Sequence, residues 1–133
     1  MGYSDTINID NSTDALFRAW GKSMSDGLTA IGVPKSADTG QINWTTVAKP
    51  AASLTSQGYE IRYLNDSLHG TYPIYIKLEW GAGNGSATRP GMWVTIGTTT
   101  DGAGNISGLG LARYSMTIST AALPNSLLKI GGG

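Results

Sequence analysis

Apolar and polar residues alternate strictly along Pro73-Ile-Tyr-Ile-Lys-Leu-Glu-Trp80. In an extended strand Ile74, Ile76, Leu78 and Trp80 share one face, and Tyr75, Lys77 and Glu79 the other. A one-residue slip would move that whole apolar set into water, so the register is firmly specified. Gly81-Ala-Gly-Asn-Gly85 has turn composition. The next patterned run, 92–97, puts Met92, Val94 and Ile96 on one face. The two runs predict the central antiparallel pair of a sheet. Residues 59–64 predict another strand, with Tyr59, Ile61 and Tyr63 facing one way and Glu60, Arg62 and Leu64 the other. The last strand is expected over about 109–119, with Ala112, Tyr114, Met116 and Ile118 together. A short strand is also expected at Ile42, Trp44 and Thr46, and a long hairpin loop at 98–108.

The pattern changes period once. Over 13–31, Leu16, Trp20, Met24, Leu28 and Ile31 recur at helical spacing with Phe17 beside them, while Arg18, Lys22, Ser25, Asp26 and Thr29 lie opposite. Asn11 or Ser12 can cap the start, and Asp14 falls where the helix dipole favours an anion. Gly32 suits the residue after the helix, and Pro34 forbids continuation. Gly21 and Gly27 each cost about 1 kcal/mol against Ala within a helix. The stripe has two possible uses: covering the sheet within the chain, which is favoured because a sheet face needs a cover, or forming a seam between subunits.

These elements predict a mainly β, α+β fold: an antiparallel sandwich or small barrel of five to seven strands with one N-terminal amphipathic helix packed on it. Residues 1–133 form one domain, with an arm at 1–10, the helix at 13–31, the sheet body at 41–119 and a tail at 120–133. The arm, where Ile7 and Ile9 alternate, is expected to be loose or to order on a neighbour. The tail, with Leu127, Leu128 and Ile130, is expected to dock or fray.

Nine basic residues balance nine acidic ones, and charged residues make up only 14% of the chain. Neither nucleic acid nor an anionic membrane would be held by such a charge balance, and nothing resembles a membrane span. Low charge suits a surface covered by neighbours. Cysteine is absent, so neither a disulfide framework nor a thiolate metal site is expected. The N-terminus lacks the pattern of a signal peptide, so the Asn-X-Ser/Thr triplets at Asn11, Asn43, Asn65, Asn84 and Asn105 read as turns.

No catalytic constellation emerges. His69, the single histidine, lies in a turn near Asp66 and reads as a surface residue. Glu60 and Glu79 could flank a glycosidic bond from neighbouring strands, but Arg62 and Lys77 are placed to pair with them in a solvated cross-strand network. Gly81–Gly85 lacks the Lys-Ser/Thr and helix that give a phosphate loop its meaning. Asp101 and Asn105 offer oxygens to a cation, but no later Glu completes a calcium loop. No cofactor is expected. Trp93 and Tyr75 point away from the face assigned to the core, where they could stack on a sugar, fill an interface or pack in a second layer.

The order of Phe17-Arg-Ala-Trp20, Asp38-Thr-Gly-Gln-Ile-Asn-Trp44, Gly58-Tyr-Glu-Ile61, Asn65-Asp66, Pro73-Ile-Tyr-Ile-Lys77 and Asp101-Gly-Ala-Gly-Asn105 resembles tailed-bacteriophage virion structural proteins. The resemblance covers roughly residues 14–108. It implies a non-enzymatic virion protein, foremost a head decoration or cement subunit, binding copies of itself as a dimer or trimer and the major capsid or tail proteins. Trp20, Tyr75, Trp93, Asp101 and Asn105 are the candidate interface or ligand contacts. The alternatives are a glycan-binding tail module using Trp93, Tyr75 and the 98–108 loop, and a cell-wall hydrolase using Glu60 and Glu79.

Overall fold

The computed structural model describes residues 2–108, 113–117 and 126–132, the side chains of 116–117 and 126–132 excepted. The expected strand positions Ala112 and Ile118, and the tail residues 120–125, lie outside the described residues. The elements run β1 (Tyr3–Ile9), α1 (Asp14–Ala30), β2 (Ser56–Tyr63), β3 (Tyr75–Ala82), β4 (Pro90–Gly97), β5 (Thr99–Thr100), β6 (Ile106–Ser107), β7 (Arg113–Thr117) and β8 (Ser126–Gly132). The fold is mainly β with one helix, in the α+β class. Its body is an antiparallel sheet of order β2-β3-β4-β7. A ribbon of β1 and β8 and a small hairpin of β5 and β6 complete the described strands.

The central pair has the register that the alternation demands. Ile76 opposes Ile96, Leu78 opposes Val94 and Trp80 opposes Met92. One face of the sheet therefore presents Leu78, Trp80 and Met92, all buried, to α1 and β1. Phe17, Trp20 and Met24 reach down from the helix, and Ile7 and Ile9 come from β1. Burying each such side chain contributes about 1.5–3 kcal/mol. Residues 3–9 are thus neither loose nor an arm reaching outward: β1 pairs with β8 along its length and places two isoleucines in the core.

Three further expectations are corrected. The buried face of the helix is rotated from the expected stripe toward Phe17, Gly21 and Ser25, with Trp20 and Met24 common to both. Its buried side is Phe17, Trp20, Gly21, Met24, Ser25 and Gly27, while Leu16 is partly exposed. Thr13 caps it, accepting the Leu16 amide on Oγ1 at 3.1 Å, rather than Asn11 or Ser12. Asn11 is instead buried, accepting from Trp20 Nε1 at 3.0 Å and donating to the Gly81 carbonyl at 3.0 Å. The segment containing Ile42, Trp44 and Thr46 is not a strand but a turn, in which Ile42 and Trp44 drop into the core. Alternation by two cannot distinguish a strand from a loop that inserts two anchors.

The connector after the helix runs along the outer edge of β2. Ser36 donates to the Ile61 carbonyl at 2.8 Å, Tyr63 to Pro34 at 3.2 Å, and Ile42 to Tyr59 at 2.8 Å. Gln41 Oε1 accepts from the Ile61 amide at 3.0 Å. These bonds satisfy an edge that would otherwise invite pairing with another chain.

Candidate functional site

The largest departure from the sequence reading is at Glu60 and Arg62. Both side chains are 0% exposed. They leave β2 toward the helix and not toward water, because Glu60 opposes Leu78 and Arg62 opposes Ile76 on the core face. Arg62 Nε and Nη2 hold Glu60 Oε1 at 3.1 and 2.8 Å. Its Nη1 donates to Thr29 Oγ1 at 2.7 Å and to the Val33 carbonyl at 3.0 Å. Its Nη2 also reaches the Ser25 carbonyl at 2.9 Å and Ser25 Oγ at 2.6 Å. Glu60 Oε2 accepts from Ser25 Oγ at 2.8 Å and Trp44 Nε1 at 3.2 Å, and lies 3.2 Å from Lys35 Nζ. Burying two charges is tolerable only with such complete pairing.

Small residues on the helix make the room. A Cβ at Gly21 would lie 2.1 Å from the Trp44 ring, so the absence of a side chain there is what seats that indole. The ring then packs edge-on against Trp80 at 5.2 Å and tilted against Phe17 at 5.9 Å. A cleft of about 480 Å3 opens above the pair, lined by Lys22, Asp26, Lys35 and Asn43 among others. Lys22 and Asp26 bind each other across its helical wall at 2.9 Å. Both Glu60 oxygens are already occupied by donors, so the carboxylate has no lone pair turned to an incoming proton or electrophile. The arrangement locks helix to sheet.

Glu79 lies on the opposite face, opposing Tyr59 on one side and Trp93 on the other. Its partner is not Lys77 but Arg113, whose Nε donates to Glu79 Oε2 at 2.8 Å. The Arg113 guanidinium also stacks on Trp93 at 4.6 Å, and Lys77 stands over Tyr59 at 4.7 Å. With Glu60 and Glu79 on opposite faces, the two-carboxylate geometry of glycoside hydrolysis is not formed by this pair.

The 98–108 loop is a closed device. Asp101 Oδ1 accepts the amides of Ala103 at 2.8 Å and Asn105 at 3.1 Å, and Asn105 Nδ2 donates to Asp101 Oδ2 at 2.7 Å. The Asn105 amide group and these backbone donors hold the Asp101 carboxyl below its ordinary pKa. The Asp101 oxygens, which a cation would need, bind the loop itself. No group of three or more His, Asp or Glu side chains able to hold a metal occurs among the described residues. Asp38 ties this loop to the connector: its Oδ2 accepts from Thr100 Oγ1 and from the Gly104 amide at 3.0 Å. Tyr59 Oη donates to the carbonyls of Thr39 and Ala103 at 2.7 and 3.1 Å, closing the same junction.

Of the candidate contacts, Trp20 is 1% exposed within the core, and Trp93 is buried beneath Arg113. Tyr75 is half-buried in a ring cluster, 6.3 Å from Tyr63 and 5.6 Å from His69. Asp101 and Asn105 meet each other but none of the other three. Among the described residues, exposed apolar side chains on the sheet's core face lie elsewhere, on β4 and β7. Ile96 is 42% and Tyr114 64% exposed there. Ile96 and Tyr114 flank Val94, to which β7 pairs Tyr114. No protein-family model matches this chain, and neither a curated protein nor a solved structure is detectably similar to it. No helix among the described residues is long and apolar enough to cross a membrane.

Proposed function

We propose that this chain is a non-enzymatic structural subunit of a tailed-phage particle, a decoration or cement protein that binds a neighbouring shell protein and copies of itself. The observation that carries this reading is the exposed part of the core face, where Ile96 and Tyr114 flank Val94 with no charged side chain between them among the described residues. Apolar side chains aligned on a rigid sheet suit a permanent contact, because the groups need no ordering before they bind. The zero formal charge removes the repulsion that keeps copies apart. The motifs that resemble phage virion proteins supply the setting. Acidic groups that hydrolysis would require are engaged in structure: Glu60 by Arg62, Glu79 by Arg113, and Asp101 by its own loop.

The test places Glu at the surface. An I96E/Y114E variant should melt within a few degrees of wild type, since both side chains are substantially exposed. It should also sediment as a smaller species and fail to bind purified phage heads, measured by co-sedimentation and particle reconstruction. Wild type that neither self-associates nor binds particles would refute the proposal.

A further inference from the structure

A groove of about 470 Å3 lies at the outer end of β3, lined by Thr71, Tyr72, Pro73, Ile74 and Thr98. We propose that it is a binding site for a neutral saccharide. The proposal goes beyond the assembly reading, since a particle subunit has no need of it for cohesion.

Its volume falls within the roughly 300–1,000 Å3 typical of small-molecule sites. Among the described residues no charged side chain lines it. Tyr72 is 71% exposed, so its ring is a platform and not part of a packed cluster. Pro73 and Ile74 continue the apolar surface. Among the described residues the hydroxyls of Thr71 and Thr98 have no hydrogen-bond partner, although each can donate one bond and accept two. A purely apolar partner would strand these hydroxyls away from water, at a cost. An anion would find no cation among the described lining residues. A sugar ring meets both demands, with C–H groups on one face for the aromatic ring and hydroxyls at its edge for the threonines.

The site is held in shape before anything binds. The Leu68 carbonyl accepts the amides of Thr71 at 3.0 Å and Tyr72 at 2.7 Å, and Pro73 has a fixed φ. Thr98 is pinned from the other side by the hydrogen bond its N–H donates to the Ser107 carbonyl at 2.8 Å. This places the platform one turn away from Tyr75 and on the near rim of the 98–108 loop, and leaves Trp93 out of it.

Titration of the isotope-labelled full chain with neutral trisaccharides of glucose, galactose, mannose and N-acetylglucosamine tests this by NMR, with sialyllactose as a charged control. At least one neutral sugar should saturate at millimolar concentration or below, with amide shifts centred on 71–74 and 98. Tyr72→Ala should weaken that binding at least about tenfold without lowering the melting temperature, and Thr98→Val should weaken it about threefold or more. Three outcomes overturn the proposal: no neutral sugar shifts these amides, Tyr72→Ala binds as wild type does, or the Tyr72 amide responds only to protein concentration. The last would mark the groove as a contact between copies. Each leaves the I96E/Y114E test of assembly to be decided on its own.

Discussion

Individual residues explain why this helix tolerates glycine. An interior Gly costs about 1 kcal/mol relative to Ala, so Gly21→Ala in a free helix would stabilise it. Here the added methyl would meet the Trp44 ring at 2.1 Å, and that ring is wedged between Phe17 and Trp80 with its N–H committed to Glu60. The aromatic cannot retreat without breaking a buried hydrogen bond. Overpacking of this kind costs about 1–3 kcal/mol, so Gly21→Ala should lower the unfolding free energy in a urea titration despite its better propensity. A variant as stable as wild type would show that Trp44 can move. The sequence offered a signal for this site: Gly21 and Ser25 stand one helical turn apart, a strip of small residues on which something bulky must sit. Hydrophobic scoring assigned Ser25 to the solvent side, because it weighs polarity and not size.

Elements built from period-two alternation were legible, and the connections between them were not. The β3–β4 pair emerged with correct faces because eight consecutive residues obey one rule. The face of β2 that carries Glu60 and Arg62 could not be assigned from alternation, which separates two faces without saying which is covered. The β5–β6 hairpin was visible only as a glycine-rich loop, since what fixes it is Asp38, sixty-odd positions earlier in the chain. That link has a pH signature. Burial works to raise the Asp38 carboxyl, but hydrogen bonds from Ser36, Thr100 and the Gly104 amide outweigh it and hold the pKa below the ordinary value. A depressed folded-state pKa means that the unfolded chain binds the proton more readily. The contribution to stability is therefore complete above the unfolded carboxyl value of about 4 and is lost as pH falls through the lower folded value. Asp38→Asn should flatten this acid limb of the stability curve. It should also speed amide exchange at Gly104 at neutral pH. An acid limb identical to wild type would remove Asp38 as its cause.

At the scale of the whole molecule, one ion pair joins parts that the chain order keeps separate. Arg62 and Glu60 on β2 bind Ser25 and Thr29 of α1, the Val33 carbonyl and Lys35 beyond it, and Trp44 of the inserted turn. Removing either charge alone leaves the other buried without its partner, which typically costs about 3–5 kcal/mol. Against a domain stability of roughly 5–15 kcal/mol, that is a large share. Glu60→Gln and Arg62→Met should each be strongly destabilising in chemical denaturation. The double variant Glu60→Leu/Arg62→Met should recover much of the loss, because it leaves fewer polar atoms stranded, though Ser25 Oγ and Trp44 Nε1 lose an acceptor. If the pair serves specificity, the double variant should also lose native order that it need not lose in free energy. Its amide exchange should quicken together in α1 and in residues 34–46, where the wild-type pair fixes position, while β3 and β4 remain protected. Equal protection in all four regions would show that apolar packing alone seats the helix. A double variant no more stable than either single one would show that the surrounding hydroxyls and the indole, and not the two charges, carry the network.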